Sequence, residues 1–176
     1  MIISAEKIKQ LRELTSCGVN NCKKALEEAK GDIEKAKEIL LKHGLELAAK
    51  KKDRVAKEGR IESYVHMGNK IGTIVEVNCE TDFVARNEEF VMFVKDVAMH
   101  ITAMAPKYVN KENIPADVLK QIKDEEGFVK EACLMNQAFV RDPSKTIQDL
   151  LNALIAKMGE NIYISHFTRY KVGEIE

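Results

Sequence analysis

Few side chains in this 176-residue chain are spaced for chemistry. The four cysteines, Cys17, Cys22, Cys79 and Cys133, include no Cys-x-x-Cys pair, and His43, His66, His100 and His166 are scattered. Zinc sites draw thiolates and imidazoles from short, repeated spacings, so this pattern predicts no metal site. The cysteines read instead as small, reduced, half-buried thiols. Glu76 and Glu80 could suggest an acid–base pair, but both lie on or just past a predicted strand, where carboxylates are ordinarily solvated. There is no Gly-rich phosphate loop and no nucleophile elbow. The expectation is a protein with no catalytic residues and no cofactor, and therefore not an enzyme.

One segment remains, Thr81-Asp82-Phe83-Val84-Ala85-Arg86-Asn87, between a predicted strand and a predicted helix. If the helix begins at Asn87, Phe83 stands outside it on a short connection, and an exposed aromatic there is an anchor for a partner's pocket. If the helix begins at Thr81, Phe83 stands above Phe90 and extends an apolar stripe. Periodicity alone favours the second arrangement.

The elements that would position this segment can be read in order. Ser4 to Thr15 carries Ile8, Leu11 and Leu14 at helical spacing, with Ser4 as its cap, and Gly18 breaks the pattern. Asn20 to Lys30 puts Cys22, Ala25, Leu26 and Ala29 on one face. Gly31-Asp32 stops that helix and caps a third, with Ile33, Ala36 and Leu40, which Gly44 ends. Each helix is too short to be stable alone, and three together close a small core of marginal stability. The stretch 48–60, AAKKKDRVAKEGR, has six cations and two anions and reads as a solvated connector.

Beyond it, Ile61, Ser63 and Val65 alternate with Glu62 and Tyr64. A turn centred on Gly68-Asn69 leads back through Ile71, Thr73, Val75 and Val77, with Ile74 and Glu76 on the other side. A helix from Asn87 to Met104 lines up Phe90, Val94, Val97 and Ile101. Another is expected from Ile114-Pro115 to about Cys133. Arg141 to Thr146 reads as a loop and cap before a helix bearing Ile147, Leu150, Leu151, Leu154 and Ile155, and a last strand starts at Asn161. The prediction is an α+β fold: a three-helix module at 1–45, a charged linker at 46–59, and at 60–176 a three-stranded antiparallel sheet packed with helices. Three strands leave two edges and one bare face, which invites self-association.

Lys plus Arg and Asp plus Glu number 28 each, a balance that argues against bulk nucleic-acid binding. Residues 1–20 lack the apolar core of a signal peptide, and no run approaches membrane-spanning length, so the expected location is the cytoplasm, with no membrane contact.

Three stretches together resemble the elongation factor Ts family. The run Val77-Asn78-Cys79-Glu80-Thr81-Asp82-Phe83-Val84-Ala85-Arg86-Asn87 is similar to the family's signature. Leu11 to Thr15, Gly18, Cys22 to Leu26 and Gly31 to Ala36 resemble its amino-terminal module, itself similar to ubiquitin-associated domains. Lys157-Met158-Gly159-Glu160-Asn161-Ile162 is the third match. The resemblance implies a guanine-nucleotide exchange factor that binds elongation factor Tu, both GDP-bound and nucleotide-free, and opens its nucleotide site without direct nucleic-acid contact. It implies that Asp82 and Phe83, flanked by Thr81 and Val84, intrude near the partner's magnesium and phosphates. It implies that Arg12, Val19 and Asn20 dock the amino-terminal module. Many members carry two methionines where this chain has Val19-Asn20, and Asn20 offers little apolar area. The chain resembles the short form, whose relatives form homodimers through their sheets. An adaptor for a peptide or ubiquitin-like partner would account for the helical module, and RNA binding for residues 50–60, but neither accounts for Thr81 to Asn87.

Overall fold

Side-chain caps and a left-handed turn set the limits of the first helices. The structure is a computed structural model that describes residues 3–15 and 17–174. α1 (Ala5–Thr15) starts behind Ser4, whose hydroxyl accepts from the Lys7 amide at 3.3 Å. α2 (Val19–Glu28) follows an N-cap at Gly18. Lys30 and Gly31 both take positive φ, 54° and 85°, and the Gly31 amide closes α2 by donating to the Leu26 carbonyl at 2.8 Å. Asp32 then caps α3 (Ile33–Lys51), its carboxylate accepting from the Lys35 amide at 3.1 Å. Leu11, Cys22, Ala25, Leu26, Ala29, Ala36 and Leu40 form the buried cluster between these helices. Four of those seven are Ala or Cys, so its burial stabilises far less than a cluster of Leu and Phe.

α3 does not stop at Gly44, as the sequence suggested, but runs on to Lys51. Gly44 is buried, and a Cβ there would sit 3.6 Å from the Asn152 carbonyl and 3.7 Å from the Ala156 side chain. Both are ordinary van der Waals distances, so neither a tight approach nor a chain reversal requires glycine there. The charged stretch 48–60 is therefore helical at its start. The chain divides into two compact units, one of residues 1–55 with 152–161 and one of residues 56–151 with 162–176. Within the first, Asn161 donates to the Lys52 and Arg54 carbonyls at 3.2 and 2.7 Å.

The second unit begins with β1 (Glu58–Val65) and β2 (Ile71–Cys79), paired antiparallel from Glu58–Cys79 to Val65–Gly72. In the turn between them, Gly68 and Asn69 both take positive φ, 90° and 54°. A one-turn helix, α4 (Asp82–Ala85), leads into α5 (Glu88–Met104), which Asn87 caps. Ile114 to Cys133 is not one helix. It forms α6 (Ala116–Leu119) and α7 (Glu125–Ala132), the second started afresh by the Asp124 carboxylate, which accepts from the Gly127 amide at 3.0 Å. Nor is Arg141 to Thr146 simply a loop, because β3 (Ala138–Phe139) and β4 (Asp142–Thr146) pair as a small ribbon. The cap expected there is present: Thr146 and Asp149 exchange hydrogen bonds at the start of α8 (Ile147–Met158). β5 (Tyr163–Lys171) completes the main sheet in the order β1-β2-β5.

α5 packs on β1 and β2. Its Phe90, Val94, Val97 and Ile101 are fully buried, as are Val75, Val77 and Cys79 of β2. Thr102 donates to Thr73 across that contact at 2.8 Å, so the polar pair inside it is satisfied. The architecture is α+β, three helices followed by a three-stranded antiparallel sheet packed with helices.

Candidate partner-binding site

The signature segment is built from the end of β2 outward. β1 approaches this end closely because Gly59 has no side chain: a Cβ there would lie 2.3 Å from the Val77 carbonyl oxygen. On the other side of β2, the pairing with β5 shifts register between Glu76 and Val77. Such a bulge bends and twists the strand locally, and here it precedes the signature. Cys79, fully buried, donates its thiol hydrogen bond to the Thr81 carbonyl at 3.1 Å. Thr81 is the N-cap of α4, its hydroxyl accepting from the Val84 amide at 3.4 Å.

That single turn divides its residues sharply. Val84 and Ala85 are buried, whereas Phe83 is 82% exposed. Asp82 lies in the first turn of α4, where a negative charge suits the helix dipole, and pairs with Arg86 at 2.9 Å. So a helical turn does begin at Thr81, but Phe83 does not extend the stripe of Phe90. The chain breaks at Arg86 and restarts at Asn87, whose side chain accepts from the Glu89 amide at 2.9 Å. The rotation between the two helices turns Phe83 outward and Phe90 inward. A four-residue turn, fixed by buried neighbours and a cap, thus holds a ring that its own core does not use.

The remaining predicted positions lie in the first unit. Arg12 is exposed in the last turn of α1. Val19 and Asn20 are exposed in the first turn of α2, Val19 by 49%. Leu14, which helical spacing placed on the apolar stripe with Ile8 and Leu11, is instead exposed near the end of α1. Thr81 to Val84 belong to the second unit, so the predicted residues form two groups, each assembled by its own unit.

The main sheet also carries an uncovered face. Ile61 and Val65 of β1, Ile74 of β2, and Tyr170 with Val172 at the β5 end are all exposed, Ile61 by 70%. Ser63, Val65, Ile74, Tyr170 and Val172 line one shallow depression on it. The strand patterns signal this face, since the apolar residues of β1 alternate on one side and Ile74 lies opposite the buried side of β2. Glu76 lies 3.4 Å from His166 on neighbouring strands. Arg86 stands in the signature run but not among the expected site residues, and its spacing of four from Asp82 is that of a helical ion pair.

No group of three or more His, Cys, Asp or Glu side chains suited to a metal ion occurs among the described residues. Among those residues, no helix is long and apolar enough to cross a membrane.

Comparison with known proteins gives one consistent result. The family model described as elongation factor TS matches residues 2–126 and 122–174. The chain is 50% identical over 196 aligned positions to elongation factor Ts of Caldanaerobacter subterraneus subsp. tengcongensis, covering 98% of each protein. It is 48% identical to elongation factor Ts of Thermotoga neapolitana, covering 99% of each. It is 46% identical to elongation factor Ts of Geobacter sulfurreducens, covering 99% of this chain and 91% of that one.

Proposed function

The chain belongs to the elongation factor Ts family of translation elongation factors, and on that premise we propose that it is a cytoplasmic guanine-nucleotide exchange factor for elongation factor Tu. The observation that carries this reading is Phe83, an aromatic ring 82% exposed on a turn whose neighbours Val84 and Ala85 are buried. Such a ring enters a partner without first leaving its own core.

The work required is thermodynamic and needs no catalytic group or cofactor. If this protein weakens nucleotide binding to its partner, nucleotide weakens its own binding by the same factor. It must therefore prefer the open, nucleotide-free partner to the GDP-bound one. Burial of a Phe side chain is worth about 1.5–3 kcal/mol, which corresponds to about ten- to a hundredfold in an equilibrium constant. Asp82 adds a carboxylate beside that ring, and near a magnesium–phosphate site it competes for the same donors. Arg12, Val19 and Asn20 dock the three-helix module, which raises the effective concentration of the wedge at its target.

The uncovered sheet face supports a homodimer that carries two partner molecules as the active species. Ile61, Ile74 and Tyr170 supply its apolar contacts. Light scattering at micromolar protein tests this, and a monomer there contradicts it. The exchange reading is tested by stopped-flow release of labelled GDP from elongation factor Tu. Release accelerates in proportion to added protein if the reading holds. Release at the intrinsic rate at every concentration ends it.

A further inference from the structure

Two cysteines occupy paired positions at the entry to α2. Gly18 is the N-cap, so Cys17 precedes the cap and Cys22 is the fourth residue of the helix. These are the two positions whose side chains meet across a helix start in a hydrophobic staple. The contacts agree with that geometry. Cys17 packs against the buried cluster that contains Cys22. The Cys22 thiol points at the Cys17 carbonyl, 3.6 Å away, and lies 3.9 Å from the Thr15 hydroxyl. Cys22 is fully buried, and burial pushes its thiol upward from the ordinary cysteine range, with the nearby Cys17 adding to that effect. Cys17 is half-buried and lines an open depression with Asn21, Lys24, Leu40 and His43. A small oxidant can reach that sulfur, the more exposed of the two.

We propose that Cys17 and Cys22 are a reversible oxidation site, in which a peroxide converts the staple into an intrachain disulfide. The Cys17 thiolate attacks one peroxide oxygen and breaks the O–O bond, giving a sulfenic acid and, after proton uptake, water. The Cys22 thiol, released by opening of the first turn of α2, then attacks the Cys17 sulfur. The S–S bond forms, the S–O bond breaks, and hydroxide leaves with the Cys22 proton as a second water. Overall two thiols lose two electrons and two protons, and the peroxide accepts them. An added dithiol reverses the reaction.

The consequence for exchange rests on the reading above. The disulfide draws Cys22 from Thr15 and encloses Gly18, Val19 and Asn20 in a short covalent loop, which removes the adjustment those docking residues need. The oxidised protein therefore stimulates GDP release severalfold less, and dithiothreitol restores it.

The test treats the full chain with hydrogen peroxide, maps its thiols by proteolysis and mass spectrometry, and then measures GDP release. The expected map shows one Cys17–Cys22 link, reversed by dithiothreitol, with Cys79 and Cys133 still reduced. Cys17→Ser forms no such link, and its GDP release is insensitive to peroxide. A wild-type map without the link, or with Cys17 joined only between chains, overturns the site. A complete link with GDP release unchanged overturns its effect on exchange. If the reduced protein releases no GDP at all, the exchange reading fails by itself, while the map still decides the site.

Discussion

Phe83 and Phe90 are seven residues apart on successive helices of one connected segment, and their environments are opposite. Phe90 is fully buried against β2 together with Val94, Val97 and Ile101, while Phe83 is 82% exposed. The same side chain is structural in one place and available in the other. The difference comes from a break at Arg86 and a new cap at Asn87, which reset the helical phase between them. A continuous helix would have put both rings on one stripe. The comparison teaches that capping, and not hydrophobicity, decides which ring is offered to a partner.

The comparison can be broken most forcefully at Phe90. Phe90→Ala should cost about 3–5 kcal/mol of stability, the range for removing a core aromatic, read by urea denaturation followed by circular dichroism. Phe83→Ala should change the same denaturation by no more than about 0.5 kcal/mol, as for surface positions. If the two variants unfold at the same urea concentration, the two rings are not in different environments.

The cap that starts α4 can be tested next. Thr81→Ala removes the hydroxyl that accepts from Val84 and should cost about 1 kcal/mol, with amide exchange rising first in residues 82–86. Unchanged exchange there would mean that the cap does not hold the turn. Gly44→Ala should raise stability by about 0.4–1 kcal/mol, because it favours helix and its methyl meets only ordinary contacts. A loss of stability would show that the packing around Gly44 is tighter than these distances.

A slower-varying effect comes from His100 at the buried end of α5. Its Nε2 pairs with Gln137 at 3.0 Å and its Nδ1 accepts from the Val140 amide at 3.3 Å, so the ring is held neutral. Burial lowers its pKa below the ordinary value, with the Gln137 bond opposing that in part. The unfolded chain therefore takes up a proton at higher pH than the folded protein does. This contribution to stability is complete above the unfolded value of about 6.5 and falls as pH drops through it toward the folded value. Denaturation midpoints measured from pH 8 to pH 5 should show the fall in wild type and a shallower one in His100→Gln.

Much of this was legible in the sequence, and the failures have physical causes. The period-3.6 pattern located α5 and its cap because Asn87, Glu88 and Phe90 all point to the same start. The alternation in β2 assigned Thr73, Val75 and Val77 to the buried side, because one face of that strand is covered by a helix. Gly44 misled because a glycine inside a helix looks the same in sequence as one that ends it. Pro143 and Ser144 disguised β4, since a short edge ribbon tolerates residues that a central strand excludes. At the candidate site the motif located the segment, but periodicity favoured the wrong orientation for Phe83. No local pattern records that a one-turn helix ends at Arg86.

The central claim is that Phe83 acts on a partner, and the stopped-flow rate of labelled GDP release from elongation factor Tu tests it most directly, with Phe83→Ala compared against wild type at equal concentration. The account predicts a variant that remains folded and still binds the partner weakly, with stimulated release lower by about ten- to a hundredfold. Release at the wild-type rate from folded Phe83→Ala would contradict it.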